Sequence, residues 1–494
     1  MQIWRSVMWS LVSPGVYREV LTILVLLAWR SVASLQVQAP LLPEQPFLVF
    51  WGISDFFCQG RPDPSSFSIV ANGTGHLKDG GVTIFYENDL GLYPYFGSNN
   101  QPVCGGLPQL TNLEMHLLKS EGDIKSKIPS PEYHGLAIIN WDEWWPNLSH
   151  TKIKRLIYQD QSWAILEQFF PDWSLAELNH WAQVDFDSAA QSIMVETLLQ
   201  ARTLRPKGVW GFSSYPTCHN SNWKSINSSG CCTKEEVALN DHLSWMWAKS
   251  CALYPSLQVN EEQSNSEAHS RVTHQILEAL RVANMAEAQT ALPVFPLLNI
   301  LYSSSSSFLS QADLENTIGE SAALGASGVV LRQKLFSTQT QRHCWGLSGY
   351  LSKTLGPYVV NVTTAARLCS TMVCRSRGRC VRKDPKELVY LHLPPEAFQL
   401  MPEDGEVGDT VAQGKLRPQD VQNWKDKFKC QWFVGLTSET GSEAEEQEDE
   451  EVEKPFEATE INVTPNSMDG ALTWGLPVHF ILALILLLTW QILI

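Results

Sequence analysis

The segment Gly135-Leu136-Ala137-Ile138-Ile139-Asn140-Trp141-Asp142-Glu143-Trp144-Trp145-Pro146 carries the residue types best suited to chemistry. An apolar run ends in an amide and two carboxylic acids, set among indoles. A protonated carboxyl can pass its proton to a leaving oxygen, so the pattern fits acid-assisted cleavage of a sugar linkage. Side chains alternate along a strand, which puts Asn140 and Asp142 on one face and Trp141 and Glu143 on the other. The bland alternative is a strand end with solvated acids and core tryptophans, and spacing alone slightly favours it.

Such a face needs a scaffold. From residue 47 to about 358, short apolar runs alternate with longer helical patterns. Strands are predicted at 47–51, 135–139, 209–212, 292–295 and 328–331, with helices such as 189–204 and 271–283 between them. Continuous apolar strands alternating with helices mean a parallel sheet covered on both faces, and at this length a barrel. Barrel chemistry sits at the C-terminal ends of the strands. Beyond Asn361 the texture changes. Cys369, Cys374 and Cys380 crowd around residues 375–379, with Cys430 farther on, the pattern of a small stapled module.

The chain of 494 residues, 44% hydrophobic, suffices for one large domain with smaller appendages. Arg5 and Arg18 precede an apolar run at 20–29 followed by Ser31, Ala33 and Ser34, the pattern of a secretory signal peptide, with an uncleaved anchor as the alternative. At the other end, an apolar run at 480–494 has no basic residue after it. Asp469, Gly470 and Ala471 supply small residues before a short spacer, so the tail reads as a GPI-attachment signal ahead of a retained membrane helix. Export is also the context of the sequons at Asn72, Asn147, Asn227, Asn361 and Asn462.

Eleven cysteines in an oxidising compartment should mostly pair, and their odd number leaves at least one unpaired within the chain. No CxxC pair meets a second one, which speaks against a zinc site. More than half of the net charge of −16 comes from the acidic stretch at 439–460, which should stay solvated as a stalk. Neither that run nor the remainder suggests nucleic-acid binding.

The segment at 135–146 resembles the signature of the hyaluronidase family, glycoside hydrolase family 56, whose strand ends Asp-Trp-Glu. Further blocks resemble the family in order from about residue 47 to 430. They include Gly91-Leu92-Tyr93-Pro94-Tyr95, Trp210-Gly211-Phe212 and Ala252-Leu253-Tyr254-Pro255-Ser256. Ile318-Gly319-Glu320-Ser321-Ala322-Ala323-Leu324-Gly325-Ala326 and Gly356-Pro357-Tyr358-Val359-Val360-Asn361 extend the match. The resemblance implies an α/β fold, a distorted (β/α) TIM-like barrel followed by a small disulfide-stapled EGF-like module. Together with the terminal segments read above, this divides the chain into a signal peptide (1–35), barrel (43–360), EGF-like module (361–435), acidic stalk (436–468) and GPI signal (469–494).

The implied activity is endo-hydrolysis of hyaluronan or chondroitin without a metal or other cofactor. The substrate's own acetamido oxygen attacks the anomeric carbon, a Glu protonates the leaving oxygen, and an Asp two residues earlier steadies the acetamido group. Carried over by position, the Asp falls on Asn140 and the Glu on Asp142. Further substrate-contact positions fall on Ser213, Leu297 and Arg332 in place of aromatic residues, while Tyr254 is retained. The resemblance also implies pairing of Cys58 with Cys344, Cys369 with Cys380 and Cys374 with Cys430, and of Cys218 with either Cys231 or Cys232. Cys104 and Cys251 are extras, buried thiols or a private pair. The expectation is a cell-surface glycoprotein, membrane-held through GPI, that meets hyaluronan or a related glycosaminoglycan with weak or no cleavage. The alternative is an active endoglycosidase using Asp142 as acid.

Overall fold

Alternation along the apolar runs sorts side chains between two layers. The computed structural model describes residues 36–53, 63–72, 80–150, 155–218, 231–286, 290–333, 341–403 and 409–435. Eight parallel strands run in chain order: β1 (Leu48–Trp51), β2 (Ile69–Val70), β3 (Val82–Phe85), β4 (Leu136–Ile139), β5 (Val209–Phe212), β6 (Ser256–Leu257), β7 (Leu297–Asn299) and β8 (Gly328–Arg332). They form two sheets, ordered β2-β1-β8-β7-β6 and β3-β4-β5. Leu48 and Phe50 face an interior cluster with Val70, Ile84, Leu136, Ile138, Leu297 and Val330. Val49 and Trp51 face the opposite way, into the layer beneath the helices.

The sheets meet at two seams. On one side, a parallel bridge joins Ser213 to Tyr254. On the other, a side chain replaces the ladder: Asn72 Nδ2 donates to Val82 O at 2.9 Å, and Val82 N donates to Asn72 Oδ1 at 2.8 Å. Gly81, at φ +109°, leaves room for this clasp, since a Cβ there would lie 2.1 Å from Asn72 Oδ1.

The strand expected at 292–295 forms later, as β7. Pro293 and Pro296 have no N–H to donate, so this stretch makes only a single bridge before regular pairing begins. The predicted helices are longer than their apolar stripes suggested. Helix α1 (Leu175–Leu204) starts at a capping box of Ser174 with Glu177, and α2 (Asn265–Met285) at one of Ser264 with Glu267.

Helix α3 (Gly356–Cys374) runs through residue 361 without a break and buries Val359, Val362, Ala365 and Ala366 in the cluster that contains Val49 and Leu331. Its end is stapled by Cys369–Cys380 and Cys374–Cys430 to the antiparallel pair β9 (Gly378–Arg382) and β10 (Phe428–Trp432). Arg382 reaches back from β9 to Glu320, both fully buried, at 2.6 Å.

Cys218 pairs with Cys232, which settles the choice left open by the sequence. Cys231 lies instead beside His274, Sγ to Nε2 at 3.1 Å. Cys104 is an exposed free thiol and Cys251 a half-buried one, so they are not a private pair. Cys344 is disulfide-bonded. Its expected partner Cys58 lies outside the described residues, as do the signal segment, Asn227, Asn462, the acidic run, Asp469 and Gly470.

Candidate functional site

The inward alternation of several strands ends in polar residues at one end of the barrel, and those residues converge. Asn140 and Asp142 follow β4, Tyr86 follows β3, Ser256 and Gln258 sit on and after β6, Asn299 ends β7 and Arg332 ends β8. With Gln333 they line a pocket of about 320 Å³ at the C-terminal ends of the strands. Trp141 and Trp144 are 3% and 2% exposed on the other side, where Tyr93 stacks on Trp141 at 4.6 Å and Trp144 Nε1 donates to Pro94 O. These indoles belong to the core; they do not line the pocket.

Asn140 is the hub. Its Oδ1 accepts from Ser213 Oγ at 2.8 Å and from Arg332 Nη1 at 2.8 Å, while its Nδ2 donates to Asp142 Oδ2 at 2.9 Å. Both ends of the amide are engaged, so its orientation is fixed by its neighbours. Ser213 is 1% exposed and forms the wall behind it. Asp142 keeps contact with solvent, yet the pocket walls strip enough water to raise its pKa above the ordinary 3.8. The charge of Arg332 and hydrogen bonds from Asn140 and Ser214 pull the other way without cancelling that effect. Burial likewise raises Tyr86, again against the pull of Arg332.

Two positions expected to meet substrate lie deeper. Tyr254 is fully buried and its hydroxyl donates to Val209 O at 2.6 Å, at the start of β5. Leu297 is fully buried in the interior cluster. Both point inward as alternation requires, but each residue advances a strand by about 3.3 Å, so the pocket belongs to the residues farther along. Those are Ser256 and Gln258 after Tyr254, and Asn299 after Leu297. Continuing the period-two pattern beyond each apolar run is the signal that would have found them.

A parallel α/β barrel with a polar, acid-bearing pocket at its strand ends is the architecture of many sugar-processing proteins. The hyaluronidase family profile matches residues 36–446, and the chain belongs to that family. It is 38% identical over 405 residues to human hyaluronidase-1, covering 81% of this chain and 92% of that protein. Hyaluronidase-1 of Cerastes cerastes is 36% identical over 415 residues, covering 82% and 92% respectively. The crystal structure of bee venom hyaluronidase in complex with a hyaluronic acid tetramer superposes with a TM-score of 0.58 at 27% identity. That match covers 63% of this chain and 98% of the bee protein.

Proposed function

We propose that this protein is a cell-surface member of the hyaluronidase family that holds hyaluronan or a related glycosaminoglycan in its barrel pocket and cleaves it weakly or not at all. The observation that carries this reading is the arrangement around Asn140. The family reaction develops positive charge on the acetamido group, and a carboxylate beside it lowers that energy. Here a neutral amide stands at that position, with its oxygen already accepting two hydrogen bonds, one from a guanidinium. A like charge about 5 Å away costs on the order of 3 kcal/mol at an effective dielectric near 20, so Arg332 opposes what a carboxylate would favour. Asp142 keeps an acid but is one methylene shorter than Glu, and a misplacement of about 1 Å can cost roughly 100-fold.

A second reading has its own support. Asp142 is solvent-accessible, lines the pocket and has a raised pKa, as a general acid requires. Incubating the purified glycoprotein with hyaluronan and with chondroitin from acidic to neutral pH decides between the two. Oligosaccharide binding without release of reducing ends is expected; cleavage at the rate of human hyaluronidase-1 overturns the first reading.

The remaining parts of the proposal rest on sequence. Residues 361–435 are read as an EGF-like module, 436–468 as a stalk and 469–494 as a GPI signal. Among the described residues no helix is long and apolar enough to cross a membrane. The disulfides suit an oxidising compartment. A phosphatidylinositol-specific phospholipase should release the protein from cells; retention with the tail peptide intact overturns the anchor.

A further inference from the structure

At the opposite, N-terminal end of the strands lies a second cavity, of about 430 Å³, separate in its lining from the pocket around Asn140. Among the described residues, Arg202, Lys207 and Arg379 contribute to its walls and no acidic residue does. Arg379 is 6% exposed, donating from Nε to Gln431 Oε1 at 2.9 Å and from Nη1 to Ser327 Oγ at 3.0 Å. Both partners are neutral. Arg202, half-buried, donates from Nη1 to another neutral acceptor, Lys249 O, at 2.9 Å. Lys207 is different: it sits at the rim and pairs with Glu132.

A buried guanidinium with no acid beside it is strongly disfavoured, and loss of hydration pushes the Arg379 pKa down to about 10. A fixed charge of this kind is relieved by an anion that enters from outside. The wall also carries Leu41, Leu292, Phe295 and Phe433, beside the polar side chains of Gln38, Ser250 and Ser327. A cavity of this size, with apolar side chains on one part of its wall and convergent polar groups on another, suits a small molecule.

We propose that this cavity binds an amphiphilic organic anion, with one carboxylate, sulfate or phosphate head on Arg379 and Arg202 and its apolar body against Leu292, Phe295 and Phe433. The inference is independent of glycosaminoglycan binding at the other end of the barrel. Cys251, a half-buried free thiol in the same wall, provides a reporter.

Anilinonaphthalene sulfonate titrated into the purified, folded glycoprotein should show saturable one-site fluorescence, displaced by decanoate. Arg379→Gln should weaken that binding by about tenfold or more, the usual effect of losing a charged hydrogen-bond donor. Arg202→Gln, at a less buried position, gives the same test if Arg379→Gln does not fold. Decanoate should also slow alkylation of Cys251 by iodoacetamide, read by peptide mapping, in the native protein but not in Arg202→Gln. Displacement by inorganic sulfate as effective as by decanoate overturns the amphiphile. Absence of saturable binding, or binding unchanged in both variants, overturns the site.

Discussion

Arg332 Nη1 donates to Asn140 Oδ1 at 2.8 Å, joining the end of β8 to the end of β4 across 192 residues of sequence. This contact couples the two positions. Asn140→Asp alone would place a carboxylate against the guanidinium, where the ion pair neutralises it before any substrate arrives. The single change should leave hyaluronan cleavage at background. On the proposed function, Asn140→Asp with Asp142→Glu and Arg332→Trp should give measurable release of reducing ends, because it supplies a carboxylate, lengthens the acid and removes the opposing cation. Equal activity with and without Arg332→Trp would show that the contact does not matter.

The raised pKa of Asp142 fixes the direction of a pH response. Any residual cleavage needs the protonated acid, so the rate should fall as pH rises through a value above 3.8. The profile of reducing-end release, compared with Asp142→Asn, tests this. Activity that survives in Asp142→Ala, or climbs towards neutrality, would assign the proton donor elsewhere.

Cys344 is buried and disulfide-bonded. Non-reducing peptide mapping should recover it linked to Cys58, with Cys218 linked to Cys232. A free Cys58 thiol, or Cys218 linked to Cys231, would refute those pairings. Loss of the Cys344 bond should cost about 2–5 kcal/mol of stability.

Much of this was legible in the sequence, and the exceptions have physical causes. The runs at 47–51, 135–139, 209–212 and 328–331 gave strands because buried parallel strands are apolar on both faces. The run at 292–295 failed because Pro293 within it and Pro296 just after it interrupt the ladder. Asn140 and Asp142 emerged on one face as alternation requires, and both line the pocket. Tyr254 and Leu297, positions carried over from the family resemblance, are fully buried and lie deeper than the polar residues that line the pocket. The contact of Arg332 with Asn140, and the Asn72 clasp, are long-range polar contacts that periodicity does not encode.

The Asn72 clasp closes a seam of the barrel where backbone pairing is missing, and it also occupies a sequon. Asn72→Asp keeps an acceptor for Val82 N but removes the donor to Val82 O, leaving two oxygens facing each other. The expected loss is about 1–3 kcal/mol, read as a lower midpoint in denaturant at unchanged slope. Asn72→Gln, with its longer arm, should not rescue it. An unchanged midpoint would mean that the seam holds without the amide.

Glu320 and Arg382 link the barrel to the stapled segment. Glu320 receives Arg382 Nη2 at 2.6 Å on Oε1 and Nη1 at 2.8 Å on Oε2, with Thr273 Oγ1 donating at 2.6 Å and His269 Nε2 at 3.3 Å. Burial alone would raise the Glu320 pKa, but the hydrogen bonds from His269 and Arg382, and the charge of Arg382, hold it below the ordinary 4.5. A carboxylate whose folded pKa is depressed contributes stability that is present above pH 4.5 and lost as pH falls through the folded value. Glu320→Gln leaves Arg382 buried without its counter-charge and should cost about 3–5 kcal/mol. Glu320→Gln with Arg382→Met removes both charges and should recover much of that loss, together with loss of this component of acid sensitivity. Thermal unfolding of the three proteins from pH 3 to 7 separates the outcomes. If Glu320→Gln costs less than about 0.5 kcal/mol, the ion pair does not hold the segment to the barrel, and other contacts of α3 must do so.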